Sequence, residues 1–146
     1  MSRYAAGTEV PVERSKGQIE KMLMDYGATH FSYHVGPVGA VVSFQIEARV
    51  VRLKIGLPQP AQFAKDGNGR LRTPIQVRDL VDRAARQAWR ILLLVIKAKL
   101  EAVETGISTI EEEFLAWVVA ENGQTVGDIL APQLAGRQPL QLTAGR

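Results

Sequence analysis

The sequence predicts an α+β fold: a three-stranded antiparallel meander with a short N-terminal helix and a long helix on one face, plus a C-terminal helical segment. Three observations predict it. Between residues 30 and 57, apolar residues recur at every second position in three successive runs, joined by links too short for a crossover. A short one-sided helical pattern precedes these runs. A much longer capped helical pattern follows them. The chain has 146 residues, which suits one domain and allows roughly two-thirds of the unfolded surface to be buried. The expected division is an arm over residues 1–14, the α+β domain over 15–134 and a disordered Gly-, Pro- and Gln-rich tail over 135–146.

Each element has its own signal. Ser15 stands three residues before Gln18, a capping-box spacing, and Ile19, Met22, Leu23 and Tyr26 follow on one helical face up to Gly27. Phe31, Tyr33 and Val35 make the first alternating run. Ala40, Val42, Phe44 and Ile46 make the second, and Val51, Leu53, Ile55 and Leu57 the third. The intervening residues give the sheet a wet face carrying His30, Ser32, His34, Ser43, Gln45, Arg52 and Lys54. Pro58 and Pro60 end the third run, and Asp66-Gly67-Asn68-Gly69 supplies turn chemistry in the following loop. Thr73-Pro74-Ile75-Gln76 opens the long helix, with Thr as cap, Pro at its first position and Gln at its third. Its pattern reaches Thr105, and Asp79–Arg83, Asp82–Arg86 and Lys97–Glu101 are spaced as i,i+4 pairs. Ile91 to Ile96 is apolar all round, so that section needs cover on a second face. Ser108 with Glu111 predicts the next helix, whose stripe of Ile110, Phe114, Trp117 and Val118 supplies such cover. Residues 117–127 read equally as helix or as hairpin, and Thr125 caps a short last helix through Leu134.

Composition narrows the function classes. A chain with 46% hydrophobic and 23% charged residues has the balance of an ordinary globular protein. Cysteine is absent, which removes disulfides and thiolate metal sites. No signal-peptide pattern opens the chain, and its longest apolar run is far too short for a membrane span. A cytoplasmic protein with no membrane partner is expected.

The catalytic patterns are weak. His30 and His34 share a strand face, where four residues span about 13 Å. That is too far for one metal ion, whose bonds to histidine nitrogen are about 2 Å each. Ser32 lacks a nucleophile elbow. Asp66 and Asn68 begin like a calcium loop, but Arg70 takes the next alternate position and no Glu stands at the twelfth. Gly67-Asn68-Gly69-Arg70 lacks the Lys-Ser/Thr end of a phosphate-binding Walker loop. Glu111, Glu112 and Glu113 suit the positive end of a helix dipole. No enzyme activity, metal or cofactor is expected.

Charge segregation is the strongest signal. From Arg49 to Arg90 there are ten Lys and Arg against three acids, hence +7 within a chain whose total is +3, so the rest sums to −4. Arg49, Arg52, Lys54, Lys65, Arg70 and Arg72, with His30, His34 and Phe63 nearby, are the expected nucleic-acid contacts: cations for phosphates and a ring to stack on a base. The alternative is a non-enzymatic protein-interaction module, an inhibitor or assembly factor, acting as a homo-oligomer through Leu93, Leu94 and Trp117.

Two blocks carry a family likeness. Val10-Pro11-Val12-Glu13-Arg14-Ser15, Ile19-Glu20 and Tyr26-Gly27-Ala28 form the first. Trp89-Arg90 through Lys97-Ala98-Lys99-Leu100-Glu101-Ala102-Val103-Glu104, with Gly106-Ile107 and Glu113-Phe114-Leu115, forms the second. Together they resemble a family of small bacteriophage- and prophage-encoded proteins to which no activity is assigned. The resemblance implies a viral or mobile-element setting and brings no catalytic residues. The order of helix, meander and long helix is also similar to the core of single-strand annealing proteins, in order alone and without their motifs.

Overall fold

A three-stranded antiparallel sheet and four helices form in the computed structural model, which describes residues 8–37 and 39–136. Helix α1 spans Val12–Asp25, followed by strands β1 (Thr29–Gly36), β2 (Gly39–Ile46) and β3 (Arg49–Gly56) in the order β1-β2-β3. A 3-10 turn at Pro60–Phe63 leads to the long helix α2, Pro74–Glu104. Helix α3 (Ile110–Phe114), a 3-10 turn at Leu115–Trp117 and helix α4 (Val126–Ala135) complete the described chain. The tail expected beyond residue 136 and the first seven residues of the expected arm lie outside the described residues.

The sheet follows the alternation. Ala40, Val42, Phe44 and Ile46 on β2, and Val51 and Leu53 on β3, are buried on one face. Ile19 and Leu23 of α1 and Trp89, Leu92, Leu93, Ile96 and Leu100 of α2 belong to the same core. A chain of ring contacts runs through it from Trp89 to Tyr33 (6.0 Å), Phe31 (4.9 Å), Phe44 (5.9 Å), Phe114 (6.1 Å) and Trp117 (5.9 Å). Burial pushes the Tyr33 hydroxyl above its ordinary value, with nearby Glu20 and Glu13 adding to the shift. That hydroxyl donates to the Lys16 carbonyl at 2.9 Å, tying the sheet to α1.

Several local expectations shift. Helix α1 starts at Val12, because the Pro11 carbonyl already accepts from the amides of Arg14 and Ser15. Ser15 is therefore no cap: it is wholly buried, with its hydroxyl unpartnered. The alternation of β1 is broken by a bulge between Thr29 and Ser32, where His30 takes φ 53°. Helix α3 is capped by Thr109 with Glu112, one residue later than Ser108 with Glu111. The start of α2 agrees with the sequence: Thr73 and Gln76 cap each other reciprocally. None of its three i,i+4 pairs closes within 4 Å. Arg86 instead donates to the Thr8 carbonyl, and Arg90 to the side chain of Gln18.

Within residues 117–127, Val118 to Thr125 form a hairpin that wraps the β3 edge. The Val119 amide donates to the Val50 carbonyl, and Val119 bridges back to Thr125 across a turn with Gly123 at φ 81°. Helix α4, capped by Thr125, then crosses to the wet face of β3 and lies against the Leu115–Trp117 turn. A Cβ at Gly127 would sit 2.9 Å from the Ala116 carbonyl oxygen, so glycine permits that approach. Among the described residues no helix is long and apolar enough to cross a membrane.

Candidate nucleic-acid interface

The ten cations between Arg49 and Arg90 divide into groups with different fates. The first group lies on β3. Strand parity puts Arg49 on the helix-covered face with Val51 and Leu53, opposite to Arg52 and Lys54. Its guanidinium bridges Glu47 at 2.5 Å and Glu111 at 3.3 Å. Arg52 is on the wet face in a row with Ser43 and Ser32. It donates to the Gly123 carbonyl at 2.5 Å, and its Nε is buried without a partner. Lys54 pairs with Asp128 at 3.3 Å. A hydrogen bond from Thr125 and then the Lys54 ammonium hold the Asp128 carboxyl below its ordinary value. All three β3 cations are thus engaged, two of them by the C-terminal segment.

The second group sits where the loop meets the start of α2. Residues 64–72 form a small hairpin: Lys65 bridges Leu71, and the Asp66 carboxylate accepts from the amides of Asn68 (2.8 Å) and Arg70 (2.9 Å). This Asx-type turn explains why Asp followed by Gly-Asn-Gly stands there. Arg72 folds back on its own loop and donates to the carbonyls of Phe63 (3.1 Å) and Lys65 (2.9 Å). Lys65, Arg70 and Arg78 are exposed, and none closes an ion pair among the described residues. Arg78 lines the same 590 Å³ groove as Leu71 and Arg72, so the start of α2 lies beside the tip of chain formed by the 64–72 hairpin that carries Lys65 and Arg70. Leu71 (79% exposed) and Ile75 (67% exposed) add apolar surface beside them.

The remaining predicted residues scatter. His34 is exposed on the wet face, in a row with Val41 and Lys54. His30 sits at the bulge with Nδ1 2.9 Å from the Thr29 hydroxyl. Phe63 is half-buried within its 3-10 turn. Leu93 is buried while Leu94 lines a groove between α1 and α2. Trp117 packs elsewhere, against Phe114 and under the Lys99 ammonium at 5.2 Å, so it shares no patch with the two leucines. Arg78 is the tip residue absent from the predicted set. It closes no ion pair with Asp82 on the next turn.

Compared with protein-family models, curated proteins and solved structures, the chain matches none.

Proposed function

We propose that this protein binds nucleic acid with little sequence preference, through the tip formed by Lys65, Arg70 and Arg78, with Arg72 holding the loop in shape. It is a non-enzymatic accessory protein in this reading, in the phage or mobile-element setting that its resemblance implies. One observation carries the reading. Lys65 and Arg70 of the loop hairpin and Arg78 of the adjoining α2 start are exposed and close no ion pair among the described residues, while the β3 cations are engaged. Unpaired surface cations are free to displace the counterions of a phosphate backbone. Leu71 and Ile75 offer apolar contact to sugars and bases in place of the half-buried Phe63.

Fluorescence polarisation with labelled single-stranded and duplex oligonucleotides at several salt concentrations tests this. Three or four phosphate contacts predict a log–log salt slope of about −2 to −3 on single strands. Arg70→Glu with Arg78→Glu should weaken binding by on the order of 100-fold without loss of fold, since both side chains are exposed. Arg49→Ala should leave the slope unchanged. Binding that ignores salt, or that survives the double reversal, would overturn the proposal.

A further inference from the structure

Helix α2 carries two apolar stripes, and only one belongs to the core. Trp89, Leu92, Leu93, Ile96 and Leu100 are buried against the sheet, α1 and α3. The second stripe is Ala84, Ala88, Ile91, Val95, Ala98 and Ala102, whose spacings alternate between four and three. That alternation is the seam of a helix that packs along a second helix. No described element covers its C-terminal half: Val95 is 38% exposed, Leu94 beside it 37%, and Ala98 is exposed. Its N-terminal half, at Ala84 and Ala88, opens into a 460 Å³ groove walled by Gly56, Leu57 and Pro58.

We infer that the occupant of this face is a second copy of the chain, its α2 laid antiparallel across a two-fold axis near Leu94. The register follows from the seam. Val95 meets Ile91 of the second copy, and Ala88 meets Ala98 of the second copy, which enters the groove. Alanine at those layers lets the helix backbones approach closely, and Leu94 packs on Leu94 of the second copy at the axis. Charge sets the direction. Arg83 and Glu101 lie on the same flank of the seam, near its two ends, both exposed and with no ion pair among the described residues. Antiparallel packing in this register brings Glu101 of the second copy to the height of Arg83, whereas a parallel pair would set Glu101 against Glu101. The arrangement is self-complementary, as a two-fold interface must be. A seam of about 27 Å lies at the lower end of stable interfaces, which bury ~800 Å² per partner, so dissociation in the micromolar range follows. The face is separate from the basic tip, so either proposal can fail alone.

Sedimentation velocity over a concentration series tests this on the full chain. The expected result is a monomer–dimer equilibrium. Leu94→Glu, at an exposed position, should weaken it at least about 100-fold, with near-ultraviolet circular dichroism unchanged. Glu101→Arg should weaken it about tenfold, and Arg83→Glu added to Glu101→Arg should restore it. Because the chain has no cysteine, Leu94→Cys supplies an independent readout: mild oxidation should yield a disulfide-linked dimer, and Glu121→Cys, exposed in the hairpin at the β3 edge, should not. A strict monomer at 0.1 mM (on the order of 100 times a micromolar constant), or a dimer that survives Leu94→Glu and crosslinks no faster through Leu94→Cys than through Glu121→Cys, would overturn the inference.

Discussion

The cations of β3 and those of the 65–78 tip come from one basic stretch and meet opposite ends. Arg49, Arg52 and Lys54 are held by Glu111, Gly123 and Asp128, and the last two pairings fasten the C-terminal segment to the sheet. Lys65, Arg70 and Arg78 hold no carboxylate. The difference is one of neighbours. Strand β3 has an edge and a wet face that later chain folds over, while the start of α2 shares a groove with the loop that leads into it. A run of like charge therefore states an excess, and tertiary placement decides which part of that excess stays available.

The strongest way to break the comparison is to lift the cover. Gly127→Val forces a side chain into the Ala116 carbonyl and should cost about 1–3 kcal/mol of stability in urea unfolding, as overpacked sites do. If engagement by α4 is what silences Arg52 and Lys54, this variant should also bind oligonucleotide with a steeper salt slope than the parent. An unchanged slope would mean that cover is irrelevant. A smaller effect sharpens the other side. Arg72→Met removes the donor to two loop carbonyls, so hydrogen exchange over residues 64–72 should rise and affinity fall about tenfold, through loss of a preformed loop together with one charge. Unaltered exchange there would show that the loop holds its shape without Arg72.

The smallest effect is on pH. Asp128 has a lowered folded value, so its contribution is whole above its ordinary value of 3.8 and is lost as pH falls through the lowered one. Acid should loosen α4 in that window, with Lys54 released, and Asp128→Asn should abolish the pH dependence of exchange in α4. At the alkaline end the sign reverses. The Glu104 carboxylate accepts from Tyr26 at 2.5 Å and pushes its hydroxyl up to about 12, so that contact persists to high pH.

The sequence carried the strands and the long helix well, because alternation and capping are local. The α2 start is written in four adjacent residues, Thr73 to Gln76, and forms as written. Errors of one to three residues arise where two local solutions compete. The Pro11 carbonyl takes the amides that a Ser15 cap would have left free, and Thr109 offers the same chemistry as Ser108 one residue later. The bulge at His30 gave no sign, since a left-handed backbone there employs no glycine. The C-terminal wrap was read in part: the Thr125 cap forms as read, but helix and hairpin stayed open over 117–127 because the strand character there amounts to single bridges at Val118 and Val119, too short for a period. The site suffered most. Beyond the local pair of Arg49 with Glu47, the partners of Arg49, Arg52 and Lys54 lie 62, 71 and 74 residues away, a separation at which no pairing rule operates. Arg78 belongs to the same basic stretch and was left out of the expected contacts because sequence alone does not rank one helix arginine above another.

From Pro74 to Ala88 helix α2 contains no buried side chain, and the interior begins at Trp89. One continuous rod thus holds two levels of stability, since protection follows burial rather than secondary structure. Its outer half can breathe turn by turn while the inner half opens only when the sheet does. Whatever grips the outer half is met by a support that adjusts to an uneven contour, and the adjustment ends at Trp89.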